Sequence, residues 1–209
     1  MVKQASNSWE RRDFLGGAAL LALLIGIPVA AIKLDDLPAD EAPTDRQRLL
    51  MSQVAQLVIP RTETPGAGDV GAGDFVLLAL AHGLSGSSES VSSGTIAHVS
   101  GHLRHDGSLR HADWLEAELD RRSNGNFLRT GIDQAKILGS LDVEAYAEGV
   151  DKHPWRTIKT LILTGYYTSQ AGGSQELRYE PVPGRWEPDL PVTPETRAIS
   201  NDWTAVDFG

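Results

Sequence analysis

Pro154-Trp155-Arg156-Thr157-Ile158-Lys159-Thr160-Leu161-Ile162-Leu163-Thr164-Gly165-Tyr166-Tyr167 is the most regular stretch of this 209-residue chain. A proline at the first helical position gives up no hydrogen bond, and its fixed φ suits the first turn. Behind it Trp155, Ile158, Leu161, Ile162 and Gly165 recur at three- and four-residue spacing, so they share one face of a helix. Leu163 and the Tyr166-Tyr167 pair extend the apolar surface. A helix of this kind needs other helices to bury its face.

Working upstream, the chain supplies them. Thr44 reads as an N-cap for a helix over 45–59, where Leu50, Val54, Leu57 and Val58 keep helical spacing until Pro60 stops it. Residues 62–73 form a glycine-rich loop. Asp74 then reads as the cap of the run Phe75-Val76-Leu77-Leu78-Ala79-Leu80-Ala81, apolar on most faces and ended by Gly83. Residues 85–94, with six serines and two glycines, predict a flexible connection, after which a helix is expected to resume. Residues 112–122 carry Trp114, Leu115 and Leu119, with acids first and Arg121-Arg122 last, the order that suits a helix dipole; Gly125 ends the segment. Two short helices follow, over 132–141 and 143–150.

Downstream of Gly172-Gly173 the periodicity is lost. The last 36 residues hold five prolines and the isolated aromatics Tyr179, Trp186, Trp203 and Phe208. Such rings must be covered, either by the chain's own helices or by another chain. The fold class is therefore mainly α: a compact helical domain over 44–172, an irregular, extended C-terminal tail over 173–209, a linker or arm over 32–43 with two prolines and four carboxylates in residues 34–43, and a signal segment over 1–31.

That signal segment reads as an address. Arg11-Arg12 precede Phe14-Leu15, an uncharged, glycine-containing run extends to Ile32, and Lys33 follows, which is a twin-arginine layout. The pathway it addresses carries proteins that are already folded. Pro28-Val29-Ala30-Ala31 places small residues for cleavage after Ala31. The 19 uncharged residues over 14–32 also approach the ~20 that cross a bilayer, so an uncleaved anchor is the competing reading. Either way the domain is expected in the periplasm, associated with the cytoplasmic membrane.

Composition narrows the function. A net charge of −9, which becomes −10 without residues 1–31, disfavours nucleic acid as a partner. The absence of cysteine excludes disulfides, covalent c-type haem attachment, iron–sulfur ligation and a thiol nucleophile. Gly66-Ala67-Gly68-Asp69-Val70-Gly71 matches G-x-G-x-x-G, with Glu89 downstream, but a helix rather than a strand precedes it, so it reads as a turn between helices. His98, His102 and His105 would lie on one face if their segment were helical, with His111 close behind, and could then ligate a metal ion. No H-E-x-x-H is present, and a solvated polar face accounts for them better. Asp113, Glu116, Glu118 and Asp120 read as a solvated acidic face. Ser169 and Ser174 lack a G-x-S-x-G elbow. The sequence offers no catalytic constellation and no metal site beyond the histidine cluster; an exported metal-binding module and an independent periplasmic hydrolase remain as readings from other classes.

Several segments carry a resemblance. Trp155-Arg156-Thr157-Ile158-Lys159-Thr160-Leu161, Gly165-Tyr166-Tyr167-Thr168-Ser169, Gln175-Glu176-Leu177-Arg178-Tyr179 and Val182-Pro183-Gly184-Arg185-Trp186 resemble, in order and spacing, the gluconate 2-dehydrogenase subunit 3 family. Val58-Ile59-Pro60, Thr64-Pro65-Gly66-Ala67, Gly71 and Phe75 look like the family's first signature. Residues 84–125 match least. The resemblance implies a non-catalytic small subunit that supports maturation and export of an FAD-dependent large subunit of the glucose–methanol–choline type, oxidising a sugar, sugar acid or glucoside, with a c-type cytochrome as a further partner. FAD and haem would then belong to those subunits, not to this chain. Trp155, Tyr166, Tyr167, Leu177, Tyr179 and Trp186 are the expected docking residues, with Gln175 and Glu176 fixing the path of the tail. Trp155 and Tyr166 could instead fill the chain's own core, the favoured reading for Trp155, which shares a face with Ile158 and Ile162, and Tyr179 and Trp186 on the tail are the better candidates for contact.

Overall fold

In a computed structural model the described residues are 34, 37–39, 41–91, 98–150, 152–179, 189, 191, 193, 196, 197, 199 and 200. The leader, with Arg11, Arg12, Phe14 and Leu15, lies outside them, as do Trp186, Trp203 and Phe208. The described part is mainly helical.

Thr44 caps the first helix, α1 (Asp45–Val58), as its residue type predicts. Its hydroxyl accepts from Gln47 N at 3.2 Å, and Gln47 Oε1 accepts from Thr44 N at 2.9 Å, a reciprocal capping box. The second helix, α2 (Ala72–Ala81), begins earlier than Asp74 suggests. Gly71 is the cap, at φ 80°, where a residue without Cβ sits unstrained, and Asp74 occupies the first turn, where a carboxylate faces the positive end of the dipole. Val76, Leu77, Leu78, Ala79 and Leu80 are all buried, as an apolar helix requires. A Cβ on Gly73 would lie 2.7 Å from Ser52 N, so the backbones of α1 and α2 meet there.

Three further helices complete the bundle: α3 (His111–Arg122), α4 (Gln134–Ala145) and α5 (Pro154–Tyr167). The acidic row of α3 is not a solvated face. Asp113, Glu116 and Asp120 share one side and meet the start of α1: Arg46 pairs with both Glu116 and Asp120, 2.6 Å from the latter, and Gln47 Nε2 donates to Asp113 at 2.6 Å. Glu118, on another side, is buried and held at 2.6 Å by both Arg121 and Arg122, and Arg122 also pairs with Glu144 of α4. The two helices expected over 132–150 are one. Leu138, Leu141 and Ala145 continue a single buried stripe past Asp142, whose carboxylate turns to α5 and accepts from Trp155 Nε1 and Lys159 Nζ, both at 2.7 Å.

The start of α5 follows its proline, with one addition. His153 Nδ1 accepts from Trp155 N at 3.2 Å, so an imidazole supplies the N-cap. Its ring stands edge-on to Trp114 of α3, centroids 5.5 Å apart. The expected helix around the histidines is absent from residues 98–110. Ser100–His102 is a single 3₁₀ turn, and Leu103 then pairs antiparallel with Leu109 across a reversal at Asp106-Gly107. Gly107 has φ 81°, a turn conformation that ends any helical register.

The arm before α1 is docked rather than free: Leu34 is only 8% exposed and belongs to the core, Leu37 packs against it, and Glu41 makes a bidentate pair with Arg104 at 2.7 and 3.1 Å. After α5 the chain makes a π-helical turn over Gly172–Glu176, and the tail includes a short ladder in which Arg178–Tyr179 pairs in parallel with Ile199–Ser200.

Candidate interaction site

The glycine-rich loop after α1 and the end of α5 are brought together by packing that only glycine permits. A Cβ on Gly165 would meet Phe75 Cδ1 at 2.6 Å, and one on Gly172 would meet Tyr166 O at 2.1 Å. The turn after α5 therefore folds back onto its own last residues. Gly66 and Gly68 press equally closely on Gln56 and Ser52 of α1. Gly66 N donates to Asp69 at 2.8 Å, and Asp69 pairs with Arg61, which holds its carboxyl below the usual range. Where a dinucleotide cradle would need open space above these glycines, the chain's own helix fills it, so the loop is a packed turn.

Three side chains lock this junction. Thr64 Oγ1 donates to Glu176 Oε2 at 2.6 Å, and Tyr166 OH donates to Pro65 O at 3.1 Å and lies 3.4 Å from Thr64 Oγ1. Arg197 of the tail reaches the same place, donating to the Gln175 carbonyl and pairing with Glu63 at 3.4 Å. Loop, helix end, π-turn and tail thus form one ledge, although Thr64 and Glu176 are 112 residues apart.

The expected docking residues divide on this ledge. Trp155 and Tyr166 are each only 1% exposed, so both fill the chain's own core and offer no ring to another molecule. Trp155 is tied to Asp142 and Tyr166 to Pro65. Tyr167, the adjacent residue on α5, turns outward instead at 37% exposed and stands edge-on to Tyr166 with centroids 5.1 Å apart. Its hydroxyl is pushed up by partial burial and by the charge of Glu176. Leu163, one turn back on α5, is exposed beside it. Gln175 is exposed, Glu176 and Leu177 are half-buried, and Tyr179 contributes its backbone to the ladder; its side chain and Trp186 lie outside what is described. Leu163, read from the sequence as extending the apolar surface, and Arg197 are not among the expected docking residues. The signal for Leu163 is its four-residue spacing from Tyr167.

The histidines form no comparable site. His98 and His105 are exposed on different turns, His98 with φ 65°, and His111 is buried with Nδ1 3.0 Å from the Leu109 carbonyl. Burial pushes His111 down to about 4. Among the described residues no group of three histidine or acidic side chains is placed to hold a metal ion.

The description gluconate 2-dehydrogenase subunit 3 matches residues 45–184, which is most of the chain, and the chain belongs to that family, whose name marks a subunit of a dehydrogenase complex. No curated protein and no solved structure matches it.

Proposed function

We propose that the chain is the non-catalytic small subunit of a periplasmic FAD-dependent sugar, sugar-acid or glucoside dehydrogenase, and that it supports the folding and twin-arginine export of the flavoprotein subunit. The observation that carries this reading is the ledge. Segments matched to the family at residues 64–66, 165–167 and 175–179 meet there, with their polar groups spent on fixing one another and Tyr167 and Leu163 left outward. A surface whose backbone is fixed in advance loses little entropy on association. The leader would export a partner that has none, since the pathway carries folded assemblies. A c-type cytochrome fits as the electron acceptor of the complex.

The test is co-purification of the tagged chain from its native periplasmic and membrane fractions. A flavin absorption spectrum and a large flavoprotein in the eluate support the reading, and a colourless, solitary chain refutes it. Tyr167→Ala and Trp186→Ala each remove one aromatic anchor and should cost about 2 kcal/mol of binding, roughly a thirtyfold loss of affinity. Trp155→Phe, whose ring is internal, should leave co-purification in place.

A further inference from the structure

Trp114 carries a donor that the fold leaves unmatched. The residue is only 1% exposed, and its indole Nε1, closed off from solvent, finds no acceptor among the described residues. Buried N–H groups are nearly always paired, so an exception asks what would pair with it. An indole nitrogen only donates, and the missing group is therefore an acceptor. Trp114 lines a cavity of about 340 Å³ between α3 and the single turn at Ser100–His102, which packs on that helix. From α3 come Trp114, Ala117, Glu118 and Arg121, whose three- and four-residue spacing puts them on one side. Ala117 contributes only a methyl group between larger neighbours, which leaves the space open. The facing wall begins at His98, held at φ 65°, a left-handed conformation of the kind that collects at ligand sites.

The charges of the cavity sort the ligand. Glu118 is the acid in its wall, and both carboxylate oxygens are taken: Oε2 accepts from Arg121 Nε at 3.0 Å, and Oε1 from Arg121 Nη2 and Arg122 Nε, each at 2.6 Å. Two guanidiniums thus answer one carboxylate, which is not left to repel an incoming anion. Arg121 Nη1 makes no bond among the described residues. Because Arg121 grips a residue three positions earlier, its head group reaches back along α3 toward Trp114. A metal ion does not suit the place, since among the described residues no three ligands converge. A single water would fill only about a tenth of the space. We propose that this cavity binds a small organic monocarboxylate, one oxygen accepting from Trp114 Nε1 and the other from Arg121 Nη1, with the rest of the molecule against Ala117. A planar group with two acceptor atoms and one charge matches two donors and one guanidinium edge. A phosphate dianion would bring a second charge that this wall does not balance.

The inference rests on α3 and the turn facing it, not on any partner subunit, and its test needs none. The full chain, labelled with nitrogen-15 at its tryptophans, is titrated with sodium acetate at constant pH, with sodium chloride at matched concentration as the salt control. The Trp114 indole signal is identified by its loss in Trp114→Phe and by its proximity to the His153 ring. Acetate should move that signal downfield and saturably, as an N–H gaining an acceptor does, while the other indole signals stay in place. Ala117→Leu fills the cavity from an exposed position and should abolish the shift. Arg121→Gln, in which Arg122 still holds Glu118, should raise the acetate dissociation constant about tenfold. Acetamide, which keeps the shape and loses the charge, should bind more weakly than acetate. The proposal is overturned by an indole signal that acetate leaves in place or that chloride moves equally, by an Ala117→Leu variant that titrates as the wild type does, or by acetamide binding as well as acetate.

Discussion

His111 and His153 are buried as neutral rings, and both are pushed below the ordinary imidazole value chiefly by loss of solvent. In the unfolded chain each binds a proton near 6.5; in the folded chain His111 does so only at about 4. Between those values the unfolded state takes up more protons, so stability is full above pH 6.5 and falls as the solution is acidified toward 4. For His111 alone the loss approaches about 3 kcal/mol. Urea denaturation at pH 7.5 and pH 4.5 should show the lower midpoint at pH 4.5, and His111→Gln should reduce the difference. His153 adds in the same direction, because a proton on Nδ1 would end its acceptance from Trp155 N.

At the scale of elements, the α1–α2 crossing is the least forgiving contact. Gly73→Ala would set a methyl 2.7 Å from Ser52 N and 2.9 Å from Met51 C, both backbone atoms that cannot rotate aside. The helices must part, at a cost of about 1–3 kcal/mol, read as a lower thermal midpoint. Gly139→Ala on α4, with open space around it, should be neutral or slightly stabilising. These elements also show what a sequence displays. Thr44 and Pro154 act within one turn of themselves, so α1 and α5 are legible from residue type alone. The extent of α4 is not, because Asp142 breaks the local pattern while serving a bond to Trp155 on another helix. The histidine face was lost for the opposite reason: Asp106-Gly107 is a strong reversal signal, and the spacing of the three histidines obscured it. The ledge was legible as a set of motifs but not as a place, since the bond from Thr64 to Glu176 obeys no periodicity.

Across the whole molecule, two ties of the tail fall among the described residues. Arg197 bridges Gln175 and Glu63, and four residues make the parallel ladder. Both partners of the Arg197–Glu63 pair are well exposed, so Arg197→Ala should leave the global unfolding midpoint unchanged. Amide exchange at Arg178 and Tyr179 should nonetheless quicken, because their ladder partners Ile199 and Ser200 lie just beyond Arg197. Arg197→Lys, which keeps the charge but not the two-pronged reach, should behave as the alanine variant does.

The edge-on meeting of His153 with Trp114 gives the protein an optical reporter of its own. A protonated imidazole quenches a neighbouring indole, while a neutral one does so weakly. The ring centroids are 5.5 Å apart. Emission from Trp114 should therefore stay bright at neutral pH and dim only when acid reaches the buried cap of α5. The dimming would precede any shift of the emission maximum to longer wavelength, which marks unfolding. With the other four tryptophans, Trp9, Trp155, Trp186 and Trp203, replaced by phenylalanine, a steady-state titration would separate the protonation of one internal group from the collapse of the fold around it.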